Sequence, residues 1–198
     1  QNMRPGDIAY GYVHACEPFI EAVTGPKRAT IFVYRDPRDM IVSHVFYATE
    51  RHEGHGMHPY YTQVLDSTEE RIDAQIFGID EPGFELSSVR TKYEAYIEWL
   101  VQPEVLCIRF EDLILNRDEA LGEILDYLVR KGFTPSVSRR EAIETLKSAV
   151  APRKSGTFRK GEPGNWRKHF TQANIGHFKE ATGDLLINLG YEQSTEWV

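Results

Sequence analysis

The stretch Thr30-Ile31-Phe32-Val33-Tyr34-Arg35-Asp36-Pro37-Arg38-Asp39 decides how the chain folds. Its first five residues are β-branched or aromatic, and this short apolar run ends in charge, as the buried strands of a parallel sheet do. A helix is expected immediately after it. Asp36 can cap that helix, Pro37 suits its first position because the missing N–H would have no partner there, and Asp39 stands where a capping box places its carboxylate. Free amides at such a terminus attract anions, and Arg35 adds a planar fork of donors that matches phosphate oxygens. Ser43 lies seven residues beyond the cap, two turns along the same face, so Arg35 and Ser43 can serve one ligand. Without a ligand, the same residues would read as solvated caps and an ordinary helix serine.

Working outward, Val105 to Phe110 is a second buried-strand candidate, and Ile8 to His14, with Ile8, Tyr10, Tyr12 and His14 alternating with smaller residues, is a weaker third. The segments between and after them carry helical spacing. Ser67 with Glu70, Asn116 with Glu119 and Ser138 with Glu141 each place a cap residue before a carboxylate that can reach back to its amide. Gly132 follows the Leu121, Ile124, Leu125, Leu128 stripe as a stop, and a last helix is expected from about Gln172 to Leu189, with Gly183 a weak point inside it. Strands alternating with helices predict an α/β fold with a mostly parallel sheet.

At 198 residues, 41% of them hydrophobic, the chain suits one domain spanning residues 1–198. It opens on Gln1 with its first methionine at position 3, which suggests a fragment or an excised domain. A net charge of −7 argues against a general binder of DNA, RNA or anionic membranes, so an anionic ligand needs a local site. One such place exists: from Arg153 to Lys168 six basic residues face one acid, a local +5 within a glycine-bearing loop that can wrap a phosphate. Two cysteines without a C-x-x-C argue against a disulfide scaffold or a zinc module, and no apolar run approaches the ~18 residues of a membrane span. A cytoplasmic protein is the expectation.

Arg35-Asp36-Pro37-Arg38-Asp39 with Ser43, followed by Arg159-Lys160-Gly161-x-x-Gly164-x-Trp166, resembles the sulfotransferase family that uses 3′-phosphoadenosine 5′-phosphosulfate (PAPS). The resemblance runs from about His14 to Tyr191. It implies a P-loop-kinase-like, three-layer α/β/α fold with a short central parallel sheet. It also implies that Arg35 and Ser43 bind the 3′-phosphate, that Arg159, Lys160 and Gly161 close over the same phosphate, and that adenosine 3′,5′-bisphosphate (PAP) is the product, with no metal. His14, 21 positions before Arg35, matches the family's histidine at the end of the preceding strand. With an ordinary pKa of ~6.5 such a residue can take the proton of an acceptor hydroxyl or amine near neutral pH; a structural histidine is the alternative. The acceptor would be a small or carrier-tethered molecule held by loops within residues 46–90. Neither nucleic acid nor a membrane span is implied, and a homodimer or a larger parent polypeptide stays open.

The chain departs from the family pattern. A PKSGTTW-type loop, which holds the 5′-phosphosulfate in relatives, is absent from the sequence, so a module that binds PAP or PAPS without transferring sulfate is the alternative to an enzyme. A nucleotide kinase would need a Walker lysine and magnesium ligands, and neither is found. Phe110 stands where relatives often carry tyrosine, Asn165 replaces the usual aspartate before Trp166, and the residues flanking His14 differ from the family's. His52, His55 and His58 could suggest a metal, but Gly54 and Gly56 between them favour a solvated loop. Tyr93, Tyr96 and Trp99 read as core, and Cys107 as a buried, inert thiol.

Overall fold

A computed structural model describes residues 4, 6–151 and 161–198. In chain order its elements are α1 (Glu17–Val23), β1 (Thr30–Tyr34), α2 (Pro37–Phe46), a π-helical turn (Tyr47–Arg51), α3 (His58–Gln63), α4 (Thr68–Phe77), β2 (Ile79–Glu81), β3 (Phe84–Leu86) and α5 (Val89–Ile97). A 3₁₀ turn (Glu98–Val101) then leads into β4 (Val105–Arg109), α6 (Phe110–Leu115), α7 (Arg117–Arg130) and α8 (Arg139–Ala149). Another 3₁₀ turn (Asn165–Lys168) precedes α9 (Gln172–Thr182) and α10 (Leu185–Asn188).

The two strands expected to be buried form the parallel pair β1 and β4, in register from Thr30 opposite Val105 to Tyr34 opposite Arg109. Alternation along the strands sends side chains to opposite faces. On one face Ile31, Leu106 and Ile108 pack against Tyr127 and Leu128 of α7. On the other, Phe32 stacks on Tyr96 of α5 at 6.4 Å, and Cys107 donates to the Trp99 carbonyl at 3.3 Å. Helices therefore cover both faces, and the fold is the three-layer α/β/α arrangement. The Tyr127 hydroxyl fastens the strand starts, accepting the Thr30 N–H and donating to the Glu104 carbonyl, each at 2.8 Å. The main core lies among α2, α4, α5, α9 and α10, where Ile41, Val45, Ile72, Ile76, Val89 and Phe178 exclude solvent.

Most helix signals operate as expected. Complete capping boxes start α4 at Ser67 and α8 at Ser138, and α7 stops just before Gly132. At α7, however, Asn116 makes no side-chain cap bond. The expected last helix is two: Gly183, at φ +57°, ends α9 and α10 restarts at Leu185. Thr171 caps α9 through a box with Asn174 in place of a carboxylate.

Residues Ile8 to His14 do not form the third strand. Ile8 and Tyr12 are 92% and 97% exposed, and among the described strands β1 pairs with β4 alone, so the segment has no ladder to join. Only its far end is held, by Trp99 Nε1 donating to the Val13 carbonyl at 2.9 Å and the Ala15 N–H donating to the Ala95 carbonyl at 2.8 Å. The antiparallel hairpin of β2 and β3 was not anticipated, although the Pro82-Gly83 turn between Ile79 and Leu86 signals it. Gly78 at its base is obligatory, because a Cβ there would lie 2.5 Å from the Leu86 carbonyl oxygen.

Candidate nucleotide site

The turn from β1 into α2 is held from three directions. Tyr93 of α5 donates its hydroxyl to the Arg35 carbonyl at 2.8 Å, and the Asp36 N–H donates to Glu111 Oε1 at 3.0 Å. The other oxygen of Glu111 accepts the Tyr191 hydroxyl at 2.7 Å. Tyr93 packs against the main core, as expected, and its hydroxyl, with Glu111 and Tyr191, also holds this turn. Burial raises the phenol pKa of both tyrosines, and the Glu111 carboxylate raises that of Tyr191 further, so each stays a hydrogen-bond donor.

Asp36 caps α2 by accepting the Arg38 N–H at 2.9 Å. With Pro37 lacking an N–H, two of the first three helical positions offer no free amide. Arg38 is buried. Its guanidinium binds both oxygens of Asp36, reaches Glu192 Oε1 at 2.6 Å, and lies 4.2 Å and 4.6 Å from the ring centres of Trp166 and Trp197. Burial acts to lower the Arg38 pKa, but the bonds and charges of Asp36 and Glu192 outweigh it and hold the guanidinium charged. This arginine locks the fold.

Arg35 lies over the Phe110 ring at 4.7 Å, and its Nε is buried without a hydrogen-bond partner among the described residues. A buried guanidinium N–H left unpaired is costly. The phenylalanine that stands for tyrosine is thus the platform that carries Arg35. Ser43 is half-buried on α2.

Asp39 joins the two motifs. It does not close a capping box: the Asp36 N–H that it would bind is already given to Glu111. Its carboxylate instead accepts the N–H groups of Gly164 at 2.6 Å and Trp166 at 2.8 Å. Burial raises its pKa, opposed by those two amide bonds. The end of the glycine-bearing segment is thereby fixed on the first turn of α2. Gly161, partly buried, lies three residues before that anchor; Arg159 and Lys160, with the rest of residues 152–160, lie outside the described residues.

His14 is exposed and lies outside any helix or strand, not at a strand end. Its ring meets Tyr96 edge-on at 5.2 Å, and Tyr96 stacks on Phe32, three residues before Arg35. Of the three spaced histidines, His52 and His55 lie in turns, while His58 begins α3 with its Nδ1 2.8 Å from the Ala48 carbonyl oxygen. Among the described residues no group of histidine, cysteine and carboxylate side chains is arranged to hold a metal, and no helix is long and apolar enough to cross a membrane.

A family model of the sulfotransferase domain matches residues 16–190, and the chain belongs to this family. His14 lies just outside the matched span. Among solved structures the fold resembles retinol dehydratase in complex with androsterone and the inactive cofactor PAP, with a TM-score of 0.57 and 18% identity over 80% of this chain and 47% of that one. It also resembles a mouse sulfotransferase complexed with PAP, with a TM-score of 0.56 and 17% identity over 83% of this chain and 62% of that one. The chain therefore spans about half to three-fifths of the length of these structures. No curated protein matches by sequence.

Proposed function

We propose that the chain acts in transfer of a sulfuryl group from PAPS to an acceptor hydroxyl or amine, releasing PAP, in a cytoplasmic setting. What supports this most is that Asp39 ties the Gly164–Trp166 segment to the helix that follows Arg35, so the two motifs meet at one place. The unpaired buried Nε of Arg35 fits a phosphate there. In this proposal Arg35 and Ser43 hold the 3′-phosphate, and Arg159, Lys160 and Gly161 close over it. His14 accepts the acceptor's proton as the new O–S or N–S bond forms and the sulfur–oxygen bond to the 5′-phosphate breaks. Such in-line displacement depends on positioning and cationic stabilisation, and the scheme uses no metal. The acceptor is a small or carrier-tethered molecule held within residues 46–90.

A second reading is a module that binds PAP or PAPS without transferring sulfate. Calorimetry with PAP beside an assay with labelled PAPS separates the two. Binding with turnover supports the enzyme, binding without turnover supports the module, and failure to bind overturns both.

A further inference from the structure

His44 follows Ser43 on α2 and is held in a polar network that neither motif explains. Lys92 of α5 donates from Nζ to Oε1 of Gln75 on α4 at 3.0 Å. An ammonium group has donors only, so the amide oxygen must face Lys92 and the NH₂ group must point away from it. There Nε2 meets Nδ1 of His44 at 2.7 Å and the Tyr61 hydroxyl. Gln75 is 0% exposed, so a flipped amide would set donor against donor with no water to compensate. With one amide hydrogen given to each neighbour, Nδ1 of His44 has to accept, which requires a neutral ring protonated on Nε2.

We infer that Lys92 and Gln75 are positioning residues that lock His44 as the neutral Nε2–H tautomer, making it a fixed hydrogen-bond donor that cannot act as a base. The surroundings agree. The groups facing His44 are Lys92, the His55 ring at 4.9 Å and the Tyr61 ring at 6.3 Å, and no carboxylate among the described residues bonds to it. Burial, then the charges of Lys92 and His55, take the His44 pKa down to about 4, while burial lowers that of Lys92 to about 8. A ring of this kind suits a ligand oxygen with a lone pair, such as a carbonyl, ether or sulfuryl oxygen. His55 belongs to the stretch assigned above to the acceptor. Resting on the sulfuryl-transfer reading, labour divides so that His14 takes a proton and His44 donates a hydrogen bond.

The test is long-range ¹H–¹⁵N NMR on the chain with ¹⁵N-labelled histidine and no nucleotide, so its outcome is independent of whether PAPS binds. His44 is expected to show a protonated Nε2, an unprotonated Nδ1 and no titration between about pH 5.5 and 7.5. Lys92→Arg, which keeps a charged donor, should preserve that pattern, and Lys92→Met should let the Nδ1–H tautomer appear. If Lys92→Met fails to fold, Gln75→Glu serves instead: its carboxylate should bring His44 into titration within that range. A wild-type His44 that titrates near ~6.5 or carries its proton on Nδ1 overturns the inference. So does a Lys92→Met pattern identical to wild type, or a Gln75→Glu variant in which His44 still does not titrate.

Discussion

Asp39 Oδ1 accepts the backbone N–H of Trp166 at 2.8 Å across 127 positions of sequence. This bond and its companion to Gly164 bring two distant motifs together. They form because Glu111 has already taken the amide that a local capping box would have used. A carboxylate displaced from its local partner becomes the anchor for a remote loop.

Asp39→Ala should cost about 3 kcal/mol of stability, because it strands two amides in a mostly buried place at roughly 1–3 kcal/mol each. Urea denaturation measures the loss. On the proposed reading PAP affinity should fall at least about tenfold in the same variant, since the segment ahead of Trp166 loses its footing.

Arg35→Ala should have the opposite profile. Its side chain makes a cation–π contact with Phe110 and leaves Nε unpaired, so stability should change by no more than about 1 kcal/mol. Calorimetry should show PAP binding weakened about 100-fold, the loss of ~2–3 kcal/mol of charge-assisted bonding. A large loss of stability with unchanged affinity would make Arg35 a structural residue.

His14→Ala should lower sulfate transfer by roughly 100- to 10,000-fold while PAP affinity stays within about twofold of wild type, the pattern of a lost general base. The side chain is exposed, so the melting temperature should hardly move. A fully active variant removes His14 from the role.

The low pKa of His44 also predicts how stability depends on pH. Its folded-state pKa of about 4 lies below the ordinary 6.5, so between those values the unfolded chain binds the extra proton. Stability from this group is therefore complete above about pH 6.5 and declines as the pH falls toward 4, by up to about 3 kcal/mol. Denaturation midpoints at pH 5 and 7 should differ less in His44→Asn, whose side-chain oxygen can still accept from Gln75.

Gly183→Ala tests the break between α9 and α10. Were the helix continuous, alanine would stabilise it by about 1 kcal/mol. With φ at +57° the substitution should instead cost about 1–2 kcal/mol, read from the shift in urea midpoint.

What was legible in the sequence by itself is local. The apolar runs at Thr30–Tyr34 and Val105–Arg109 announce strands because backbone sterics and burial act over a few residues, and Ser67, Ser138 and Gly132 mark helix ends for the same reason. The motifs around Arg35 and Gly161 pointed to an anion site and to the family. Tertiary structure decided which groups are spent on the fold and which remain for a ligand. Of two arginines three positions apart, Arg38 is consumed by Asp36, Glu192 and two tryptophans, while Arg35 keeps an unpaired Nε. Periodicity alone also misjudged Ile8–His14, since an alternating pattern makes a strand only where another backbone offers its hydrogen bonds. Glu192, Trp197 and Glu111 are remote in sequence, and only packing brings their charge and rings against the turn after β1.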